Sequence, residues 1–174
     1  MHVSSLQASS TAKSEPVYSS GESLVTFYSE APLEDIEARS TKLRGAITME
    51  TGRLLFVVPI KSFEFEKALM QKHFNEQYLE SDKYPEARFE GKFNETPVIV
   101  DGSKVIGYEG RMTLHGVSRQ VTGEATLTRE GDEIHGLSTL KIRLEDYNIK
   151  IPRMVIKNIA EVVDVKISLA FHPE

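Results

Sequence analysis

The chain has 174 residues, of which 40% are hydrophobic, and a formal charge of −5. That is enough for one self-sufficient core, and it gives no general attraction to nucleic-acid phosphates or anionic lipid surfaces. Cysteine and tryptophan are absent, which excludes disulfides, thiolate metal sites and a thiol nucleophile but leaves the redox compartment open.

The opening, MHVSSLQASSTAKSEPVYSS, is polar and serine-rich and lacks the apolar run of a secretory signal. No later stretch approaches ~18 consecutive apolar residues, so a soluble chain without a membrane-spanning segment is expected. Residues 1–21 read as a flexible N-terminal arm, native or left over from cloning, and 22–174 as a single domain.

Beyond the arm, apolar and polar residues alternate with period two, the mark of half-buried strands. The pattern predicts strands over 23–29, 36–49, 52–60, 86–95, 105–116, 120–129, 134–145 and 161–171. Gly52, Pro97, Gly102, Gly116 and Gly131 mark most of the turns. The alternation is plainest late in the chain, where Val163, Val165, Ile167, Leu169 and Phe171 alternate with Asp164, Lys166 and Ser168. Long antiparallel strands with one oily face must hide that face and avoid open edges, which favours a closed barrel or a sandwich.

One helix interrupts this pattern. EFEKALMQKHFNEQYLES has helical spacing over 66–80, with Leu69, Met70, Phe74 and Tyr78 near one side, and is expected to cover an open end of the sheet by burying Leu69, Met70 and Phe74. A weaker helical pattern lies at 153–160.

Strand parity also sorts residues by face. In GRMTLHGVSRQVTGEATL, residues 110–127, Met112 and Leu114 point to the oily side and Thr113 to water. Phe56, Val58, Phe89, Phe93, Leu127, Leu140, Ile142, Ile167 and Leu169 join the inward set on the same rule. A barrel of about eight strands is either filled by such side chains or holds one small ligand, and residue types alone leave both open.

Catalytic patterns are weak. The histidines, His2, His73, His115, His135 and His172, show no HExxH or other metal spacing, so no metal is expected. His115, at the start of a turn, suits a hydrogen-bonding or exposed role. His73, beside Phe74, suits either holding the helix to the rim or meeting a polar ligand head. Ser118 lacks the flanking GxSxG of a nucleophile elbow, and no phosphate-cradling glycine loop occurs. Glu64 and Glu66 form the solvated side of FEFE. Neither an enzyme nor a cofactor is expected.

Four separated segments resemble the YceI-like family in order and spacing: His73-Phe74, YPEARFEGKF over 84–93, YEGRMTLHGVSRQV over 108–121 and EDYNI over 145–149. The resemblance runs from about residue 22 to the C-terminus. It implies an all-β fold, a closed or nearly closed eight-stranded antiparallel barrel, lipocalin-like, with one helix near 66–80, holding a polyisoprenoid or related amphiphilic lipid, in a periplasmic or secreted protein. Asn148 departs from the family pattern, which often has glycine there, but asparagine tolerates the left-handed backbone.

With the resemblance, the cavity reading is favoured over the filled core. The expected ligand-binding residues are the inward set together with Phe74. A ligand head would need donors where the chain emerges, for which His73, Arg88, Arg119 and Lys150 are candidates, with Lys72 near the first of them. The expected function is carriage or storage of an isoprenoid or other long-chain lipid. The alternatives are a stress-related interaction or chaperone-like module with a mostly filled barrel, and a barrel enzyme acting on a lipophilic substrate. Nucleic acid is not an expected partner, and parity leaves a homodimer open.

Overall fold

A computed structural model of the chain describes residues 17–29, 36–97, 102–150 and 162–173. Ten strands are present among them: β1 (Val17–Ser29), β2 (Ile36–Ser40), β3 (Arg44–Thr48), β4 (Arg53–Pro59), β5 (Glu64–Phe65), β6 (Glu86–Phe93), β7 (Gly102–Leu114), β8 (Val117–Glu130), β9 (Glu133–Arg143) and β10 (Val162–Pro173). They form one antiparallel sheet that closes where β10 pairs with β1.

The ten strands occupy eight places in the ring. Along one side of β1, β3 pairs with its first residues and β2 with its last, so β2 and β3 are halves of one bent strand, where the alternation predicts an unbroken 36–49. The bend follows from local hydrogen bonding: the buried Ser40 hydroxyl accepts the Lys42 amide at 3.1 Å, which breaks the ladder and lets Leu43 turn inward. The short β5 pairs alongside β2, with Ala38 opposite Phe65. The first described strand, β1, begins at Val17.

Two places need glycine. Gly91 and Gly110 are opposite each other on β6 and β7, and the Phe89 ring lies against both, so a side chain on either would meet the ring and the facing carbonyl. At the β7–β8 hairpin, Leu114 pairs with Val117 across His115 (φ 53°) and Gly116 (φ 72°). Positive φ at both central residues is the two-residue type I′ turn, whose twist matches the flanking strands.

The helix is shorter than the spacing predicts. An α-helix, α1 (Ala68–His73), runs into a π-helical turn over Phe74–Tyr78, in which the Leu79 amide donates to the Phe74 carbonyl at 2.8 Å. The wider turn brings Phe74, Tyr78 and Leu79 to one buried side. The burial expected for Leu69 is overturned, since it is 64% exposed. Five residues ahead of Phe74, it lies about 140° round the helix from it. The pattern at 153–160 lies outside the described residues. Among the described residues no helix is long and apolar enough to cross a membrane.

Candidate ligand cavity

The closed ring encloses a cavity of about 240 Å³. All twelve residues expected to bind ligand line it: Phe56, Val58, Phe74, Phe89, Phe93, Met112, Leu114, Leu127, Leu140, Ile142, Ile167 and Leu169. Period-two alternation placed the eleven that lie on strands, because neighbours on a strand point to opposite faces, and helical spacing placed Phe74. Parity also turns Thr113 outward, where its hydroxyl meets that of Ser118 at 2.7 Å.

The wall holds further residues that the sequence reading missed, chiefly at the helix end. Phe74 lies within a group of rings, 5.4 Å from Phe27, 5.9 Å from Phe63 and 4.9 Å from Phe65 between centroids. The signal for two of these was the alternation in FEFE, whose carboxylates drew attention while its phenylalanines turn inward; Glu64 and Glu66 are exposed, as expected.

Inside, the wall is almost wholly hydrocarbon, and two of its hydroxyls, Tyr108 and Ser138, bond to each other. Ser138 Oγ donates to the Glu124 carbonyl at 2.8 Å and so accepts the Tyr108 hydroxyl at 2.7 Å. Burial pushes the Tyr108 phenol above its ordinary pKa, with the Ser138 bond opposing. Burial likewise raises Tyr78. For Tyr147 burial is again the largest cause, with Asp146 adding and Arg119 opposing.

None of the four expected head-group donors projects into this interior. Arg88 borders the cavity, but its side chain is 48% exposed and its Nε donates to Glu90 at 2.7 Å, because it alternates with the inward Phe89. Arg119 donates through Nε to the Asp146 carbonyl at 3.0 Å and so holds the turn after β9. Lys150 is exposed and His73 half-buried, and neither lines the cavity.

His115 does more than its place in a turn suggests. Its side chain is only 10% exposed, with Nε2 2.6 Å from a Glu80 carboxylate oxygen and Nδ1 3.0 Å from the Tyr147 carbonyl. The Tyr84 ring meets it edge-on at 4.9 Å. The hydrogen-bonding role therefore holds, and it joins three separate segments. Asn148 takes the left-handed conformation that the departure from glycine required, with φ 53°.

The family pattern of the YceI-like domain matches residues 17–171. The chain belongs to the YceI-like family. Among its relatives, a UPF0312 protein of Pseudomonas putida strain W619 is 38% identical over 81 residues, 43% of this chain and 40% of that protein. The YceI protein of Shigella flexneri is 35% identical over 96 residues, 51% of this chain and 48% of that one. The aligned part of this YceI-like chain thus spans about half or less of these relatives' length.

Solved structures share its fold. A polyisoprenoid-binding domain from Saccharophagus degradans, implicated in plant cell wall breakdown, superposes with a TM-score of 0.79 at 17% identity, covering 90% of this chain and 98% of that one. Burkholderia cenocepacia BcnA gives a TM-score of 0.70 at 16% identity, covering 85% and 95%.

Proposed function

We propose that this YceI-like protein binds an isoprenoid or other long-chain amphiphile inside the barrel and carries or stores it. The observation that carries this reading is the closed ring around a cavity of about 240 Å³ walled by hydrocarbon. Each Å² of apolar ligand surface removed from water contributes about 25 cal/mol, offset by the cost of ordering a flexible chain. Polyisoprenoid binding by the Saccharophagus degradans domain of the same fold supports the ligand class.

The interior suits a tail and not a head. Its lining is almost wholly hydrocarbon, and the Tyr108 and Ser138 hydroxyls already bond to each other, so a phosphate or other polar head entering it would lose more hydrogen bonds to water than these two groups could replace. The head therefore stays at the rim. The same two bonds argue for binding without chemistry, because neither hydroxyl has a base to activate it. A periplasmic or secreted site of action belongs to this reading through the family resemblance.

Extraction of protein purified from its native host with organic solvent, followed by mass spectrometry, tests the proposal. One stoichiometric long-chain lipid is the expected result. Repeated absence of any lipid would overturn it in favour of an interaction module with an empty or filled barrel. Fractionation of that host checks the location.

A further inference from the structure

The segment that closes the helix end is fastened on two sides by different chemistry. On the β1 side the fastening is hydrocarbon, with Phe74 set among Phe27, Phe63 and Phe65. On the β7–β8 side it is polar, through Glu80 and His115, and His115 in turn holds the turn that contains Tyr147. Leu79, Leu114 and Ile149, each next to or within two residues of this knot, line the cavity.

Backbone conformation marks the same place. Among the described residues, three that are not glycine have positive φ: Glu80 at 48°, His115 at 53° and Asn148 at 53°. Two of them supply the knot's side chains, and the third directly follows Tyr147. Conformations of this kind persist where surrounding contacts hold them, and they gather at clamps and switches.

Proton count decides what the knot requires. A carbonyl oxygen only accepts, so Nδ1 must carry a hydrogen to bond Tyr147. An ionised carboxylate also only accepts, so Nε2 must carry a second hydrogen to bond Glu80. With Glu80 ionised, the closed arrangement therefore needs both ring protons, and removing one sets a ring lone pair against a carboxylate. The Tyr84 ring is the other group packed against the imidazole, with Lys83 over that ring at 5.3 Å; Asp146, next to Tyr147, carries Arg119 on its carbonyl. None of these is shown bonding to the ring in place of Glu80.

We infer that Glu80, His115 and the Tyr147 carbonyl form a proton-dependent latch on the segment over the barrel mouth, which sets how readily hydrocarbon enters and leaves. The inference rests on the reading of the cavity as a lipid site. Because the closed state keeps a proton that an open state releases, closure is favoured at lower pH and lost as pH rises. The hydrocarbon fastening at Phe74 does not titrate, so Phe74 stays docked while the turn from Leu79 to Tyr84 loosens.

Two substitutions separate the latch from the fold. His115→Asn keeps, and favours, the positive φ of a type I′ turn followed by glycine, but is too short to hold Glu80. Glu80→Gln can donate its amide hydrogen to Nε2 while Nδ1–H still bonds Tyr147, so it latches a neutral ring. Hydrogen exchange then follows the amides of Leu79, Ser81 and Tyr84, bonded in the closed segment to the carbonyls of Phe74, Asn75 and Glu80. Unchanged protection of Ile134 and Leu140 on β9 shows that each variant is folded.

Between about pH 5 and pH 8, where imidazole ordinarily changes charge, wild-type protection of those three amides should fall by roughly tenfold after correction for intrinsic exchange. Glu80→Gln should stay protected at both pH values and His115→Asn at neither. Wild-type protection that does not change with pH, or His115→Asn as protected as wild type at low pH, would overturn the latch. Stopped-flow release of N-phenylnaphthylamine should rank His115→Asn fastest and Glu80→Gln slowest at the higher pH. Equal release from all three proteins would also overturn it. If exchange behaves as stated but N-phenylnaphthylamine never binds saturably, the latch stands and the lipid reading falls.

Discussion

The two ends of the barrel solve opposite problems. At the end of the β3–β4 and β8–β9 turns, Phe171 and Ile47 at 2% exposure, with Ile106 and Ile134 at 1%, plug the interior with close-packed hydrocarbon. At the other end a short helix and π-turn lie over the wall, held by a ring cluster on one side and by three bonded polar groups on the other. One end is sealed by packing inherent in the strands, while the other depends on a segment docked onto the sheet. A docked segment is the part of a small barrel best able to move, because its opening need not break the ladder.

Substitutions should expose that difference, and the largest effect is expected at the sealed end. Phe171→Ala should destabilise by about 4 kcal/mol, since the strands around a plugged end cannot collapse into the space left. Phe74→Ala should cost less, about 3 kcal/mol, because the docked segment can shift to fill part of the gap. Denaturant midpoints at constant slope check both. A reversed order, or no loss for Phe74→Ala, would show that the helix end is not part of the closed structure.

The wall between the ends can be tested on a single strand. Leu114→Glu should leave the protein folded at a cost of about 2 kcal/mol and abolish retained lipid, because the carboxylate sits near the mouth where water can reach it. Unfolding instead would mean that this stretch of wall is filled core. Circular dichroism with lipid stoichiometry separates the two results.

A smaller effect concerns alkaline pH. Burial raises the Tyr108, Tyr78 and Tyr147 phenols above their ordinary value of 10.0, so between that value and their folded ones the native state holds protons the unfolded chain has released. Stability should therefore fall as pH rises past about 10. Tyr108→Phe should reduce that alkaline loss, while costing about 1 kcal/mol at neutral pH for the bond to Ser138. An unchanged alkaline slope would mean that Tyr108 is not a source of the loss. The smallest effect belongs to Thr113→Glu on the outer face, expected within about 0.5 kcal/mol and without lipid loss.

Period-two alternation determines most of this protein by itself. It identifies eight strands, which the β10–β1 pairing then closes into a ring, and it selects Met112 and Leu114 over Thr113 because a pleated strand leaves no other way for its neighbours to point. The His115-Gly116 turn is equally legible, since position and residue type fix a tight hairpin. Tertiary structure decided what alternation does not encode. Leu69 fits a helical stripe, yet the helix docks through Phe74 and the π-turn behind it, which fixes the side that faces the barrel. Arg88 and Arg119 read as candidate donors for a ligand head, but residues near them in the fold, Glu90 and the Asp146 carbonyl, accept from them. Glu80 and Tyr147 lie 35 and 32 residues from His115, so no local pattern could join them. Their meeting depends on chain closure, and only the folded barrel brings three loops to one point.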